Sequence, residues 1–291
     1  MTMLALYHND MSSCAQKVRI CLSEKGLAWE NRHLNLRAGE HQQDWYVKLN
    51  RRAVVPTLIH DDIVVQESNV INEYLDEQFP TSPLMPSDAL GRAQVRLWTK
   101  QLDEDVHDAC LAILSFGIAF RHQYISRGEA GKQMLEQVPN IFKRERRRDV
   151  IDKGLESIHF RIAVARMEQL LNEMQEALAA HRWLVGNDYT IADAALTPYV
   201  ARLEHLNILG LVDSRPKVAD WYARVKARPS YHDGIGMWEN ADYLALMQSR
   251  GAEAWPRVQQ IARELQYARL QPFPKTIRTS IDGPATIIKI I

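Results

Sequence analysis

Three residues near the start of the chain, Ser12, Ser13 and Cys14, have the types and placement for thiol chemistry. They follow a short apolar run, Leu4 to Tyr7, and a polar turn at His8, Asn9 and Asp10. They open a segment in which Cys14, Val18, Cys21 and Leu22 recur at helical spacing. A helix start offers N–H groups without intrahelical partners and a partial positive charge, so it stabilises an anion such as a thiolate. A free thiol titrates at about 8.5 and is mostly protonated at neutral pH. Lowering that value by about one or two units is worth roughly 1.4 to 2.7 kcal/mol. One hydrogen bond to a charged acceptor, about 1.5 to 3 kcal/mol, supplies that much. Ser12 is the first candidate for the hydroxyl donor and Ser13 the second, and both also serve as helix caps. Cys14 is the alternative nucleophile, or, aligned with Val18 and Cys21 on an apolar face, a small buried side chain.

Such a site needs a frame. The run before the turn reads as a buried strand, and the segment from Ser12 to Lys25 and Gly26 as a helix. A second strand around Trp29 to Leu36 completes a right-handed βαβ unit, and a short helix near Gln42 to Lys48 follows. Thr57 to His60 and Ile63 to Gln66 flank Asp61 and Asp62, which predicts an antiparallel hairpin. Val70, Ile71, Tyr74, Leu75 and Phe79 then mark an amphipathic helix capped by Ser68. The order is βαβαββα. The proline-rich stretch Pro80 to Ser87 breaks the pattern, and beyond it all periodicity is helical: Ala89 to Phe120, the stripe Val164, Met167, Leu171, Met174 and Leu178, and Val218 to Val225.

With 291 residues the chain exceeds one ordinary core. We expect an α/β domain over 1–80, a linker over 81–88, an all-helical domain over 89–270 and a tail over 271–291. Apolar residues at 46% and charged residues at 25% suit a packed globular protein. Lys plus Arg equals Asp plus Glu at 36 each, so no net field draws the chain to nucleic acid or an anionic membrane. The expected partner is a small molecule. The basic run Lys143 to Arg148 is short and flanked by Asp149 and Asp152, which suits a solvated helix face. Three cysteines without CxxC or zinc-ligand spacing predict neither disulfides nor a metal. The first ten residues lack signal-peptide character and no apolar stretch spans a membrane, so a reducing cytoplasm is the expected location.

The βαβαββα order followed by helices resembles the glutathione S-transferase superfamily, and local motifs carry the likeness. Met11 to Ile20 resembles the serine-type active-site turn of zeta-like transferases, with its Ser-Ser-Cys run. Leu49 to Pro56 resembles a segment that places a cis-proline before the third strand. There the Val55 backbone, set by Pro56, would pair with the cysteinyl backbone of glutathione like an extra strand. The family usually has Pro at Arg51 and Gly at Ala53. Gln66-Glu67-Ser68 matches the pair that holds the γ-glutamyl end: Glu67 for the α-ammonium, Ser68 and the helix start for the α-carboxylate. His41 and Gln42 lie where polar contacts to the glycyl end are placed. Thr190-Ile191-Ala192-Asp193 has the form of a capping box and resembles the family's signature there.

The resemblance implies a thioredoxin-like first domain, glutathione as co-substrate, no metal, and a homodimer. It implies that the helix after residue 88 walls a pocket for a hydrophobic electrophile, with Trp98, Gln101 and Asp105 as candidates and Phe116 and Phe120 further on. On the same helix His107 reads as a proton donor or as an ordinary surface or satisfied histidine. The length of 121–157, Trp98-Thr99-Lys100 and Asp103-Glu104 resemble bacterial aryl-ether-cleaving members. The leading expectation is a transferase that ionises glutathione beside Ser12. The alternatives are a Cys14-dependent lyase or thiol transferase, and a glutathione- or ligand-binding protein without turnover.

Overall fold

The computed structural model describes residues 3–138 and 140–270, so the sequence-read tail over 271–291 lies outside the described residues. Strand β1 (Leu4–His8) is central and buried on both faces, and β3 (Thr57–His60) beside it is nearly as buried. β2 (Glu30–His33) and β4 (Ile63–Gln66) form the edges, giving the order β2-β1-β3-β4. β2 runs parallel to β1 with Ala5 opposite Glu30. β3 runs antiparallel to both β1 and β4, with Leu4 opposite His60 and Thr57 opposite Gln66. β2 is shorter than the expected Trp29 to Leu36: Leu34 N–H donates to His8 O at 2.7 Å, and the chain then leaves the sheet.

Helix α1 (Ser13–Glu24) follows β1, with α2 (Asp44–Leu49) and α3 (Ser68–Gln78) completing the first domain. Every residue of α1 from Ala15 to Leu22 is buried, because the helix is wedged between α3 on one side and the helical domain on the other. Full burial of its Val18, Ile20 and Leu22 contributes about 1.5 to 3 kcal/mol each. The same wedge buries Lys17 and Arg19.

The helical domain starts at α4 (Ala89–Gln101), capped by Asp88, whose carboxylate accepts the Gly91 N–H at 2.8 Å. The expected single helix to Phe120 is continuous but not uniform. It widens to π-helical geometry over Leu102–Leu111, narrows in α5 (Ala112–Ser115), widens again over Phe116–Phe120 and ends with α6 (Arg121–Ile125). Helices α7 (Glu129–Glu136) and α8 (Ile141–Lys153) form the inserted stretch. The basic run on α8 is neutralised locally: Lys143 pairs with Asp108 at 2.7 Å and Arg148 with Glu136 at 2.5 Å.

The long α9 (Ile158–Ala180) packs against the π-helical stretch. α10 (Ile191–His205) lies across α1. α11 (Pro216–Lys226), α12 (Pro229–Gly234) and α13 (Ala241–Leu270) complete the domain. α12 approaches α1 closely at Gly234, where a side chain would meet Ile20 N at 2.9 Å. Asp193 anchors the start of α10: its carboxylate accepts Thr190 N–H (3.0 Å), Leu184 N–H (3.0 Å) and Trp221 Nε1–H (2.9 Å). Burial raises its pKa, and these three donors act against that rise. Among the described residues, no helix is long and apolar enough to cross a membrane.

Candidate functional site

The turn between β1 and α1 is shaped by two buried guanidinium groups that reach its carbonyls. Arg19 donates through Nη1 to Asn9 O (2.9 Å), through Nη2 to Asp10 O (2.8 Å) and through Nε to Gly234 O (2.8 Å). Arg202, from α10, donates through Nη2 to Met11 O. Burial lowers Arg19 to about 9 and Arg202 to about 10, which leaves both charged at neutral pH. Arg19 Nη1 also lies 2.9 Å from His8 Nδ1, so that nitrogen must accept, and the His8 proton sits on Nε2 facing Asn31 Oδ1 at 2.6 Å. Burial and the Arg19 charge hold His8 neutral, near 4. The turn is thereby held from both domains.

Ser12 caps α1: its Oγ accepts the Ala15 N–H at 3.3 Å, which leaves its own hydroxyl hydrogen free to donate. Ser13 is buried as the first helical residue. Cys14 follows and is partly accessible. Its Sγ lies 3.6 Å from Nε2 and 3.7 Å from Nδ1 of His107, on the π-helical stretch. Both ring nitrogens are thus within hydrogen-bonding distance of the sulfur.

Lys17, one turn along α1, is fully buried. Its Nζ lies 3.4 Å from Ser68 Oγ, 3.5 Å from Asn69 Oδ1 and 5.3 Å from the centre of the Tyr199 ring. Among the described residues it has no carboxylate partner within ion-pair distance. A buried ammonium without a carboxylate needs an anion or dipoles nearby; the Ser68 and Asn69 oxygens supply dipoles, and the Lys17 charge in turn favours a thiolate at Cys14.

Burial alone would push the Cys14 thiol up. The His107 charge, then Lys17, with hydrogen bonding from His107 and Ser68, more than offset it and bring the thiol from 9.0 down to about 6. The sulfur's charge in turn raises His107 against its own burial. By contrast, burial pushes the thiols of Cys21 and Cys110 well up, so neither competes as a nucleophile.

The loop before β3 is also well ordered by side chains. The peptide bond Val55–Pro56 is cis and both residues are buried. Asn50 donates through Nδ2 to Val54 O (3.1 Å) and Thr57 Oγ1 (3.0 Å), while Tyr46 OH donates to Val54 O at 2.7 Å. Ala53 takes φ +50°, a left-handed conformation natural to glycine, which is why the family's glycine is expected there.

Glu67 has φ +66° and occupies the N-cap position of α3 without a side-chain capping bond. Ser68, expected as the cap, is the first residue inside the helix, and its hydroxyl turns to Lys17. The Glu67 carboxylate is paired with Arg52. His41 is half-buried on the short turn Glu40–Gln42, its Nδ1 without a partner, and burial lowers its pKa. Gln42 is exposed.

The helical-domain candidates divide. Gln101 and Asp105 are both engaged by Arg166 of α9: Nη2 to Gln101 Oε1 at 2.6 Å, and Nε to both Asp105 oxygens at 3.0 Å. They stitch α9 to the long helix and, among the described residues, make no hydrogen bond to Cys14, His107, Lys17 or Tyr199. Trp98 is partly buried against the main core. Phe116 is buried, while Phe120 faces Arg37, whose guanidinium lies 5.8 Å from its ring centre and 3.2 Å from that of Tyr243. The Arg37–Tyr243 contact and the Asn240–Asp10 hydrogen bond (3.2 Å) join the start of α13 to the first domain beside the β1–α1 turn.

Sequence reasoning passed over Lys17, Tyr46, Asn50, Tyr199 and Arg202. Lys17 carried a signal: a lysine beside Val18 and one turn from Cys14 and Cys21 interrupts an otherwise apolar stripe.

A mixed four-stranded sheet with its helices, joined to a helical domain that closes on the start of α1, defines a thioredoxin-like transferase class. Comparison with known proteins gives the family. The glutathione S-transferase N-terminal domain model matches residues 6–83 and the glutathione S-transferase C-terminal domain model residues 135–224. Protein LigF of Sphingobium sp. strain SYK-6 is 30% identical over 261 residues, covering 83% of this chain and 96% of LigF. The crystal structure of Beta-etherase LigF matches with a TM-score of 0.71 at 27% identity, over 80% of this chain and 98% of that one. A tetrachloro-p-hydroquinone reductive dehalogenase of Sphingobium chlorophenolicum is 28% identical, covering 78% and 94% of the two chains. The chain belongs to the glutathione S-transferase family.

Proposed function

We propose that the protein is a glutathione-dependent transferase whose own reacting group is the Cys14 thiolate, working in exchange with a glutathione thiol bound at the start of α1. The observation that carries this reading is the contact of Cys14 Sγ with His107 at 3.6 Å, with the buried cation Lys17 behind it. At a pKa of about 6, about nine-tenths of Cys14 is thiolate at pH 7. Glutathione lies along the first domain, its cysteinyl backbone against Val55 ahead of Pro56, its γ-glutamyl end at Glu67 and Ser68, and its glycyl end toward His41 and Gln42. Arg52 must release Glu67 for the α-ammonium to bind. A relative named as a reductive dehalogenase suits this chemistry, because a thiol that reduces a substrate ends as a disulfide.

A second reading keeps Cys14 as a bystander. Here glutathione is ionised beside Ser12, whose hydroxyl hydrogen is free, and attacks a hydrophobic electrophile held against the helical domain near Trp98 and Phe120. Glutathione conjugation of a generic aryl halide and glutathione-dependent disulfide reduction, assayed with Ser12→Ala, Ser13→Ala and Cys14→Ala, separate the two. Loss of reduction in Cys14→Ala alone supports the first. Loss of conjugation in a serine variant, with Cys14→Ala fully active in both assays, replaces it with the second.

In either reading we place the protein in the cytoplasm as a homodimer. Exposed Ile63 and Val64 on β4, Val70 on α3 and Leu90 and Leu97 on α4 support the pairing.

A further inference from the structure

His107 stands alone on a polar stretch of the sequence, and only the fold gives it partners. It sits within the ten-residue π-helical stretch Leu102–Leu111, a geometry that shifts the phase of side chains and recurs at functional sites. Cys14 Sγ lies 3.6 Å from its Nε2 and 3.7 Å from its Nδ1, and Tyr199 OH lies 3.3 Å from Nδ1. Tyr199 is fully buried on α10, and burial holds its phenol neutral. The ring therefore touches both a group that gains negative charge and a neutral oxygen that can accept its Nδ1–H.

The other titratable or charged groups facing this pair are Lys17 on α1, and Asp103, Asp108 and Cys110 on the π-helical stretch. Asp103 is engaged by Asn69 at 2.9 Å and Asp108 by Lys143 at 2.7 Å. Both carboxylates have other partners; Asp108 adds a smaller effect in the same direction, and the largest charge acting on the imidazole is the Cys14 sulfur.

We propose that His107 is a catalytic acid supplied by the helical domain, delivering its proton to the group displaced when Cys14 attacks a glutathione mixed disulfide. The inference rests on the Cys14 reading of function. The Cys14 thiolate attacks the glutathionyl sulfur of GS–SR, forming the Cys14–SG disulfide bond and breaking the S–S bond between the glutathionyl sulfur and SR. The departing RS⁻ takes the His107 proton and leaves as RSH. A glutathione thiol then gives its proton to neutral His107, and its thiolate attacks Cys14–SG, releasing GSSG and restoring the Cys14 thiolate. The sum is GSSR + GSH giving RSH + GSSG, with the disulfide reduced and glutathione oxidised.

The leaving group provides the test. An alkyl thiolate needs the proton as it departs, whereas a nitrobenzoate-type aryl thiolate, a far weaker base, does not. We would measure reduction of two mixed disulfides of glutathione, one with 2-mercaptoethanol and one with 5-thio-2-nitrobenzoate, by wild type, Cys14→Ser, His107→Gln and His107→Ala. His107→Gln should slow the alkyl substrate about 100-fold more than the aryl one. Added imidazole should restore part of the alkyl rate to His107→Ala. Equal losses on both substrates without imidazole rescue, or no loss, with Cys14→Ser inactive, overturn this proposal alone. Full exchange by Cys14→Ser refutes the Cys14 reading and this proposal with it.

Discussion

Replacing Lys17 with methionine should move stability and reactivity in opposite directions at low pH. A thiol lowered from 9.0 to about 6 is favoured as thiolate by about 4 kcal/mol. His107 supplies the larger attraction and Lys17 the next. A nearby opposite charge shifts a pKa by about one to three units; at the low end of that range Lys17 contributes roughly 1.4 kcal/mol. Lys17→Met should therefore cut the thiolate fraction at pH 6 from about one half to about one tenth.

The sign of the stability effect follows from linkage. A group whose folded pKa is depressed adds stability that is fully present above 9.0 and lost as pH falls through about 6. The variant loses about 1.4 kcal/mol of that contribution at pH 9 and none at pH 5. At pH 5 it also sheds a buried ammonium that has no carboxylate partner among the described residues, which methionine of similar shape replaces without desolvation cost. Urea denaturation of both proteins at pH 5 and pH 9 reads the difference. We expect the variant to be as stable as wild type or more so at pH 5, and relatively weaker at pH 9 by about 1.4 kcal/mol. A pH-independent loss above about 2 kcal/mol would show that Lys17 is a structural ion and refute the reasoning.

Three further outcomes follow from particular contacts. Asp193→Ala leaves the N–H groups of Thr190, Leu184 and Trp221 buried without their acceptor, which should cost about 3 to 5 kcal/mol in urea unfolding. Ala53→Gly relaxes a left-handed residue at φ +50°; after the added freedom of the unfolded chain it should gain about 0.5 to 1 kcal/mol, measured by thermal melting. Any rate limited by the Cys14 thiolate should climb about tenfold per pH unit below about 6 and level off above it, whereas a profile still rising at pH 9 would place the reactive thiol elsewhere.

How far the sequence reached differs from residue to residue. The strands and helix starts were legible because they are local: the apolar run Leu4 to Tyr7, the cap at Ser12 and the Thr190–Asp193 box each announce themselves within a few residues. β2 was overestimated because an edge strand is ended by what it pairs with, and His8 O is the last partner it finds. The long helix after Asp88 was visible as a helix, but nothing in its periodicity reveals where its turns widen.

The same limit applied to the site. Cys14 was visible as a residue at a helix start, yet what lowers its pKa comes from position 107, far along the chain and turned toward α1 by the π-helical stretch. Gln101 and Asp105 share that helix with His107 but meet Arg166 instead, a distinction of helical phase that a uniform repeat cannot resolve. Lys17 and Arg202 are buried because two domains close on α1, and burial at a domain boundary leaves no mark in local pattern.

The most direct test of the account is an absorbance titration of thiolate formation near 240 nm, on wild type and Cys14→Ser. Cys21 and Cys110 stay protonated through the working range, so they do not contribute. We predict a one-thiolate step centred near pH 6 in wild type that is absent from Cys14→Ser; a wild-type protein with no step below about pH 8, or a step that survives in Cys14→Ser, would contradict it.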